Sequence, residues 1–421
     1  MHGFSALIGA NNLADPIDPT PANSMKQPTP THPSSSTSNP VIALLGRRLR
    51  LAVIGGGPGS FIGATHRQAA RLDDRYELVA ACLSSDPVKA VSAGVELGLP
   101  AERSYPSAQA LFDAEAARPD SADVVAIMTP NDGHYPCAMA ALELGFDVIC
   151  DKPMTNTLTE AERLRQRVME TGRVFCLTHN YSGYPLVRQA RAMVAEGLLG
   201  DVRLVQVEYV QGGRAQPGPG RTAWKTDPAR GGASLVMGDI GTHAHQLLRF
   251  ISGLEVEQVA AEAGAIVPGS QAHDYAGAML RLSGGARGSF WVTQAAAGVE
   301  NALRIRVSGS LATLEWAQEH PQVLQLKPMD APAQTFTPRG PGTLPLAARS
   351  SRVAAGHPEG FHEAFANLYS DAAEAIAARR AGQIPDPLAL HFPNADDGWM
   401  GMRFVDAVIR SSAADGVWTT V

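Results

Sequence analysis

The sequence predicts an α/β protein in two parts: a doubly wound parallel sheet, followed by an open-faced, mostly antiparallel sheet with helices. Between residues 49 and 179, strands that are apolar throughout alternate with helical segments, as in a parallel sheet covered on both faces. From residue 202 onward, strands follow one another with few helices between them. Residues 303–307 alternate apolar with charged side chains, and this period of two indicates a sheet with one face in solvent. A chain of 421 residues can form two domains with their own cores.

In the first half, Gly, Pro, Asp and Ser residues interrupt the apolar runs and so mark where each element ends. Thr157 and Glu160 form a capping box, and Gly172 stands where a helix would end. The predicted strands are 49–54, 76–83, 123–128, 146–150 and 174–179, and the predicted helices are 64–72, 88–97, 107–118, 134–144 and 157–171.

In the second half, two long helices close a series of strands. The helix at 360–380 carries its apolar residues on one face, and a last helix spans 393–409. The predicted strands are 202–210, 275–282, 288–294, 303–307, 313–316 and 323–326.

The chain divides into three stretches. Residues 1–46 contain a segment rich in Pro, Ser and Thr without periodicity, so we expect a disordered or extended arm. Residues 47–181 should form the parallel-sheet domain. Residues 182–421 should form a substrate-binding and oligomerisation domain whose late helices could pack back on the first domain.

Composition excludes several classes of function. The modest net charge of −6 gives no argument for a nucleic-acid or membrane-surface partner, and no apolar run is long enough to span a bilayer. The four cysteines stand singly in apolar stretches, as buried residues do in a reducing compartment. We therefore expect a cytoplasmic protein without a nucleic-acid partner or a membrane span. The cysteines are Cys82, Cys137, Cys150 and Cys176.

A glycine-rich turn follows the first strand. Glycines at this point accept positive φ and let a phosphate approach the backbone at a helix N-terminus. Gly55-x-Gly57 opens a dinucleotide fingerprint, but Ser60 stands where the third glycine is due. If residues 58–60 are an insertion, Gly63 takes the third place. The residues of the turn expected to contact a dinucleotide are Gly55, Gly57, Phe61 and Ile62.

The end of the second strand bears on the choice of dinucleotide. An Asp or Glu normally holds the adenosine ribose there, but this sequence has Ser84, with Asp86 and Lys89 following. Ser84 and Lys89 could accept a 2′-phosphate, which favours NADP slightly. Asp86 could instead turn back to a ribose and favour NAD, or Ser84 could only cap the next helix.

Polar residues also follow the third and fourth strands. Thr129, Pro130 and Asn131 with His134 lie where ligands bind an open sheet, although a turn with Asn131 as a cap fits equally well. Asp151 and Lys152 precede Pro153 at the next strand end. Pro153 keeps Lys152 out of the helical region, so the ammonium group could reach over the same edge.

Asp239 and His243 stand four residues apart. If a helix begins near Asp239, both side chains lie on one face, with the carboxylate at the positive helix end. A histidine near that end is disfavoured as the cation, which suits a neutral general base. The alternatives are a cap with a core histidine, or a zinc site with His245. For the zinc site no third ligand is evident, so we expect no metal.

These motifs together resemble the Gfo/Idh/MocA family of NAD(P)-dependent oxidoreductases. Gly63-x-x-His66, TPN-x-x-H from Thr129, the tripeptide DKP from Asp151 and D-x-x-x-H from Asp239 occur in the family's order. The family usually has EKP, so Asp151 is a conservative departure. The resemblance implies a Rossmann domain and assigns catalysis to Lys152, Asp239 and His243. It also implies that the open sheet face packs against another subunit, as a dimer or tetramer.

The resemblance implies a dehydrogenase that moves a hydride from a secondary hydroxyl of a sugar, inositol or glycoside to NAD or NADP. His243 would take the hydroxyl proton and Lys152 would stabilise the oxygen. An NAD-dependent glycosidase of the same fold and a non-catalytic sugar-sensing regulator are the alternatives. The expected substrate-binding residues are Lys152, Asn180, Tyr181, Trp224, Lys225, Asp239 and His243. The expected dinucleotide-binding residues beyond the glycine turn are Ser84, Lys89, Thr129, Pro130, Asn131, His134, Asp151 and Lys152.

Overall fold

A computed structural model describes residues 39–216 and 223–421. Its first half contains α1 (Pro40–Leu45), β1 (Leu49–Gly55), α2 (Phe61–Leu72), β2 (Tyr76–Cys82), α3 (Pro87–Glu96), α4 (Ala108–Ala116), β3 (Val124–Met128), α5 (His134–Glu143), β4 (Asp147–Cys150), α6 (Leu158–Thr171) and β5 (Phe175–Leu177). Short 3-10 turns at Ala101–Arg103, Asn131–Gly133 and Asn180–Gly183 join these elements.

The five strands form one parallel sheet in the order β2-β1-β3-β4-β5. Every residue of β3 and β4 is buried, because helices cover both faces. The predicted doubly wound sheet is therefore confirmed. Strand order reverses between β1 and β3, and ligands bind open sheets at such a switch point, beside the carboxyl ends of the strands.

The second half carries a larger sheet. Its elements are α7 (Pro185–Ala195), β6 (Val202–Val210), α8 (Pro228–Gly231), a π-helical turn at Met237–Gly241, α9 (Thr242–Ser252), β7 (Val256–Gly264), β8 (Tyr275–Leu282), β9 (Arg287–Thr293), β10 (Ala302–Gly309), β11 (Ala312–Ala317), β12 (Leu324–Pro328), β13 (Gln334–Phe336), α10 (Pro345–Ala348), α11 (Phe361–Arg380), α12 (Ala395–Ala413) and β14 (Thr419–Thr420). Short 3-10 turns lie at Ala223–Thr226, Ser283–Gly285 and Pro387–Leu390.

These strands form a nine-stranded sheet in the order β13-β12-β11-β10-β6-β9-β8-β7-β14. Only the β6–β9 pair is parallel among its ladders in the described chain, so the predicted mostly antiparallel sheet is confirmed. In β10, Leu303, Ile305 and Val307 are buried while Arg304 and Arg306 are exposed. One face thus packs inward and the other stays open.

Helix α11 covers the parallel sheet, although it comes late in the chain. Phe365, Tyr369 and Ile376 of α11 share a buried cluster with Leu51 and Val53 of β1. The capping box of α6 forms as predicted, since its two reciprocal hydrogen bonds are both present. Among the described residues, every helix is too short or too polar to traverse a lipid bilayer.

Several boundaries differ from the prediction. Residues 1–38 of the expected arm lie outside the described residues, but 40–45 form helix α1. Asn39 caps this helix, Pro40 preorganises its first position, and Val41 is buried. Helix α2 begins at Phe61, three residues early, because Ser60 caps it by accepting a hydrogen bond from the Gly63 N–H.

The sequence interpretation also missed whole elements. Strand β7 reads VEQVAAEAG, and its Ala, Glu and Gly residues have little preference for strands. It forms because it pairs with β8 on one side and β14 on the other. Helix α7, with Pro185 at its first position, was also not predicted.

Candidate active site

The turn after β1 is tight enough to require glycine at positions 55 and 57. Gly55 has φ 81°, and a Cβ atom there would lie 2.6 Å from the carbonyl oxygen of Met128. A Cβ at Gly57 would lie 2.1 Å from the carbonyl oxygen of Leu83. The turn therefore passes directly over the ends of β3 and β2, and side chains at these positions would collide with the backbone there.

Gly63 takes the role of the third glycine in the fingerprint. A Cβ at this position would lie 1.9 Å from the carbonyl oxygen of Gly56, so only glycine lets α2 pack this closely on the turn. Ser60 uses one N–H group of the first turn of α2, and the helix N-terminus follows directly on the glycine turn, where other N–H groups are left for an anion. The geometry fits a bound pyrophosphate.

At the end of β2, Asp86 rather than Ser84 caps α3. Asp86 Oδ1 accepts hydrogen bonds from the backbone N–H groups of Val88 (3.0 Å) and Lys89 (3.1 Å). Ser84 Oγ accepts one from the Asp86 N–H at 3.0 Å. The Lys89 ammonium lies 4.0 Å from Asp86 Oδ2 and its side chain is 78% exposed. This end of the site is open to solvent.

His134 is buried between the ends of β3 and β4. Its Nδ1 lies 2.7 Å from the Pro153 carbonyl oxygen, and its Nε2 lies 3.1 Å from that of Thr129. With the side chain 1% exposed, the ring joins the two strand ends. Asn131 reaches across to the second half, where its Nδ2 donates to the Gly231 carbonyl oxygen at 3.2 Å.

Asp151 organises the start of the DKP tripeptide. Its Oδ1 accepts hydrogen bonds from the Lys152 backbone N–H at 2.8 Å and from Thr178 Oγ1 at 3.0 Å. The carboxylate thus fixes the turn that projects Lys152 beyond the end of β4.

Asp239 is the centre of a cluster of polar side chains from both halves of the chain. Lys152 Nζ donates to the Asp239 carbonyl oxygen at 2.5 Å and to its Oδ1 at 3.1 Å. Lys225 Nζ donates to the same Oδ1 at 2.7 Å, and Gln294 Nε2 donates to Oδ2 at 2.9 Å. One carboxylate therefore holds two ammonium groups and one amide.

A π-helical turn places Asp239 in this cluster. The turn spans Met237–Gly241 and runs directly into α9, whose first turn carries His243. The helical segment begins ahead of Asp239, so the carboxylate lies inside the helix rather than at the N-terminal end that the spacing suggested. Single π turns inside helices recur at functional sites, because they rotate the side chains that follow.

His243 packs among aromatic rings. Its Nδ1 lies 3.4 Å from Nδ1 of His179, and its ring centroid lies 4.8 Å from that of Tyr181. Among the described residues, its Nε2 has no hydrogen-bond partner. His245, the second residue considered for zinc, instead stacks on Phe404 with ring centroids 4.4 Å apart.

Comparison with known proteins identifies the family of this chain. Residues 49–179 match the model of an oxidoreductase family with an NAD-binding Rossmann fold, and residues 187–315 match the GFO/IDH/MocA C-terminal domain. YfiI, an uncharacterized oxidoreductase of Bacillus subtilis, is 33% identical over 383 residues, which are 89% of this chain and 97% of that protein. The chain belongs to the Gfo/Idh/MocA oxidoreductase family.

Solved structures of related proteins extend over nearly the whole described chain. An oxidoreductase from Sinorhizobium meliloti is 47% identical with a TM-score of 0.80, covering 88% of this chain and 99% of that one. An inositol dehydrogenase homologue from Azotobacter vinelandii, complexed with NADH and myo-inositol, is 36% identical with a TM-score of 0.84, covering 90% of this chain and 99% of that one.

In this Gfo/Idh/MocA protein, burial and charge fix the protonation states of the cluster. Burial alone would raise the pKa of Asp239, but the charges of Lys152 and Lys225 and the hydrogen bonds from Lys225 and Gln294 lower it far below its usual value. Burial would lower the pKa of Lys152, but Asp239 and Asp151 raise it. Carboxylate and ammonium are therefore both charged near neutral pH.

The histidines beside this ion pair are neutral. Burial, and then the charge of Lys152, lower the pKa of His243 well below its ordinary value. The same two causes lower the pKa of His179 to about 3. Near neutral pH, one of the two facing Nδ1 atoms donates and the other accepts, so both rings keep a fixed orientation.

The structure brings some predicted site residues together and leaves others apart. Lys152, Lys225 and Asp239 are in direct contact, and Tyr181 lies against His243. Asn180 is buried next to Tyr181, with its Nδ2 unpartnered among the described residues. Trp224 lies beside Lys225, whose Nζ is 5.9 Å from the indole centroid. Ser84 and Lys89 lie at the far edge strand, three strand positions from Lys152.

Sequence reasoning missed Gln294, which contacts the centre of the cluster. It directly follows strand β9 and is buried, while most glutamines are exposed. The signal available was a polar residue at the last position of the predicted strand 288–294.

The buried histidines predict a loss of stability in acid. Burial lowers the pKa of His66 to about 4 in the folded chain, against about 6.5 when unfolded. Between these values the unfolded chain binds a proton that the folded chain does not, so the free energy of unfolding falls as pH drops below about 6.5. Between pH 7.5 and pH 5, His66 should account for about 2 kcal/mol of that fall.

Urea unfolding of His66→Gln at both pH values measures this contribution. We expect the variant to lose less stability on acidification than the native protein, whatever its absolute stability. His357→Gln, on an exposed loop, is the matched control and should behave like the native protein. If His66→Gln and the native protein lose the same free energy of unfolding on acidification, another group causes the acid sensitivity.

Proposed function

We propose that this protein is a dehydrogenase that oxidises a secondary hydroxyl of a sugar, an inositol or a glycoside with NAD or NADP. The observation that carries the proposal is the Lys152–Asp239 ion pair beside the neutral His243. This group combines a fixed positive charge, an anchoring carboxylate and a proton acceptor beyond the strand ends of a dinucleotide-binding sheet. That combination suits removal of a proton from an alcohol.

Lys152 is proposed to stabilise the substrate oxygen. An ammonium group has three N–H donors, and two of them point to Asp239. The third has no partner among the described residues and remains for a substrate hydroxyl. Because the pKa of Lys152 is raised, its charge is present when negative charge develops on that oxygen.

His243 is proposed to accept the hydroxyl proton at Nε2, in the tautomer whose Nδ1–H donates to His179 Nδ1. Its Nδ1 already faces His179, so Nε2 is the ring nitrogen left for a ligand. Asp239 is proposed to orient the substrate and Lys152 together, with Asn180, Tyr181, Trp224 and Lys225 forming the rest of the substrate wall. A wall of amide, phenol and ammonium groups suits a polyol, which offers many hydroxyl groups.

We propose that residues 47–181 bind the dinucleotide and that residues 182–421 bind the substrate. Gly55, Gly57, Phe61 and Ile62 would hold the pyrophosphate, and Thr129, Pro130 and Asn131 would line the switch point. His134 would hold two strand ends together at the dinucleotide site, because its ring nitrogens lie beside the Pro153 and Thr129 carbonyl oxygens. Asp151 would hold the DKP turn there through Oδ1. When bound, the dinucleotide supplies the hydride acceptor.

A substrate panel tests the proposal. The native protein is mixed with inositols, hexoses and glycosides and with each dinucleotide, and absorbance of the reduced nicotinamide is followed. We expect reduction of the dinucleotide in step with formation of a ketone from at least one polyol. Release of an aryl group from a glycoside without net reduction would instead identify a glycosidase, and sugar binding without turnover would identify a regulator.

The slight preference for NADP remains a prediction, and a substitution of Lys89 tests it. Lys89 is exposed, so a contact with a 2′-phosphate should contribute about 1 kcal/mol, and Lys89→Ala should weaken NADP binding about fivefold while leaving NAD binding unchanged. Fluorescence titration of the native protein and of Lys89→Ala with NAD and with NADP measures these affinities. Tighter binding of NAD by the native protein, with no response to Lys89→Ala, would make NAD the cofactor.

We also propose a homo-oligomer that forms through the open face of the nine-stranded sheet. Leu204, Met279 and Trp291 are exposed on this face, beside the charged residues of β10. Such an apolar patch on a sheet suits a second copy of the same chain. Sedimentation of Trp291→Glu should show a shift to smaller species, and an unchanged assembly would exclude this face.

A further inference from the structure

Four side-chain amides form a row across one end of the nine-stranded sheet. Gln318 follows β11, Asn301 precedes β10, Gln211 follows β6 and Gln294 follows β9, and these strands are neighbours in that order. Strand β10 is antiparallel to β11 and β6, while β6 and β9 are parallel, so these positions fall at the same end of all four strands. The amides are therefore adjacent in space.

The amides are hydrogen-bonded head to tail. Gln294 Nε2 donates to Gln211 Oε1 at 3.1 Å, Gln211 Nε2 donates to Asn301 Oδ1 at 2.7 Å, and Asn301 Nδ2 donates to Gln318 Oε1 at 3.1 Å. In each of these three hydrogen bonds, the donor belongs to the residue nearer Gln294 and the acceptor to the next residue of the row. Hydrogen bonds in such a chain polarise and strengthen one another.

One end of the row holds Asp239. The second N–H of Gln294 Nε2 donates to Asp239 Oδ2 at 2.9 Å, and the side chain is 6% exposed. The amide cannot be reversed, because its oxygen would then face the carboxylate. The backbone N–H of Gln294 is also bonded, to the Asp274 carbonyl oxygen at 2.9 Å. Gln294 therefore has one orientation.

The row also contacts two tyrosines whose rings lie beside His243. Asn301 Nδ2 donates to Tyr181 Oη at 3.3 Å, and Tyr209 Oη donates to Asn301 Oδ1 at 2.8 Å. The two phenol oxygens lie 2.5 Å apart, and the Tyr181 ring packs against the His243 ring. The same neutral network thus reaches both Asp239 and the ring beside His243.

We propose that this row of amides positions the reacting groups, with Gln294 as its key member. Gln294 holds Asp239 Oδ2, so that Oδ1 is left to receive Lys152 and Lys225. Because every member is uncharged, the row fixes the carboxylate without adding a charge that would change its protonation. The kinetic part of the inference rests on the proposed function, while the geometric part does not.

Gln294→Met tests the key contact, since methionine keeps the length of the side chain and removes the donor. Loss of one hydrogen bond to a charged group should lower kcat about ten- to a hundredfold. The dissociation constant for the dinucleotide and the melting temperature should change little. Gln294→Glu should lose more than Gln294→Met, because it sets a second carboxylate against Asp239. Gln109→Met, on the exposed face of α4, is the matched control.

The row predicts a graded series along the chain of amides. Gln211→Met should lower kcat less than Gln294→Met, and Gln318→Met should lower it least. The double variant of Gln294 and Gln211 should lose little more than Gln294→Met alone, because Gln211 acts through Gln294. Equal losses along the series with equal drops in melting temperature would show a merely structural role and overturn the proposal.

A crystal structure of Gln294→Met separates this inference from the proposed function. We expect the Asp239 carboxylate to rotate and its bonds to the two lysines to be redistributed. If the native protein turns over no polyol, the proposed function fails and this rotation alone decides the role of the row. An Asp239 carboxylate that keeps its place, or a variant with native kcat and KM, would overturn the proposal.

Discussion

Replacing Lys152 with methionine is expected to lower kcat about a hundred- to a thousandfold, the usual effect of removing one donor to a developing oxyanion. Lys152 reaches Asp239 from the end of β4, and its third N–H is left for the substrate oxygen. Methionine keeps the apolar stem and removes the charge. Steady-state rates with a substrate found by the panel measure the loss.

The Lys152→Met variant should fold and bind the dinucleotide. Asp239 keeps its bonds to Lys225 and Gln294, so the substitution does not leave a buried carboxylate alone. We therefore expect a native melting temperature and a native dissociation constant for the dinucleotide. Lys327→Met, on an outer strand of the nine-stranded sheet, controls for loss of one positive charge. A kcat near the native value in Lys152→Met would remove the proposed role.

The parallel sheet could be predicted because its signal is local. A strand buried on both faces is a continuous apolar run, and each run here ends at a turn residue such as Gly55 or Pro130. The exact start of α2 could not be predicted, because Ser60 reads as an interruption of the glycine pattern until its side chain is seen to cap the helix.

The nine-stranded sheet carried a weaker signal. Strand β7 has poor strand residues and depends on β8 and β14, which are distant in the sequence. Its pairing with β14 could not be anticipated from either segment alone. By contrast, the alternation of apolar and charged residues in β10 predicts an open face directly. Successive side chains of a strand point to opposite faces of the sheet, so the apolar ones are buried and the charged ones are exposed.

The candidate site was predictable where one element sets the geometry. The spacing of four residues on a single helix predicted that Asp239 and His243 lie together, and the end of a single strand predicted the place of Lys152. The contact between Gln294 and Asp239 joins residues 55 positions apart and depends on the register of several strands. No local pattern encodes that register, so the row of amides becomes visible only in the fold.

His243→Ala is expected to lower kcat/KM about a hundred- to ten-thousandfold, the usual contribution of a general base. The neutral ring accepts the substrate proton, so activity in the native protein should fall on acidification as the ring is protonated. Burial and Lys152 lower the pKa of His243, which places this acidic limb below the ordinary histidine value of about 6.5. The limb should be absent from the residual activity of His243→Ala.

Lys152 gives an independent check on that assignment. The charge of Lys152 is one cause of the lowered pKa of His243, so its removal should raise that pKa. In Lys152→Met, the acidic limb of the residual activity should therefore move to higher pH. His320→Ala, at a turn of the nine-stranded sheet, should leave the pH profile unchanged. An acidic limb that persists in His243→Ala, or that does not move in Lys152→Met, would assign the base to another group.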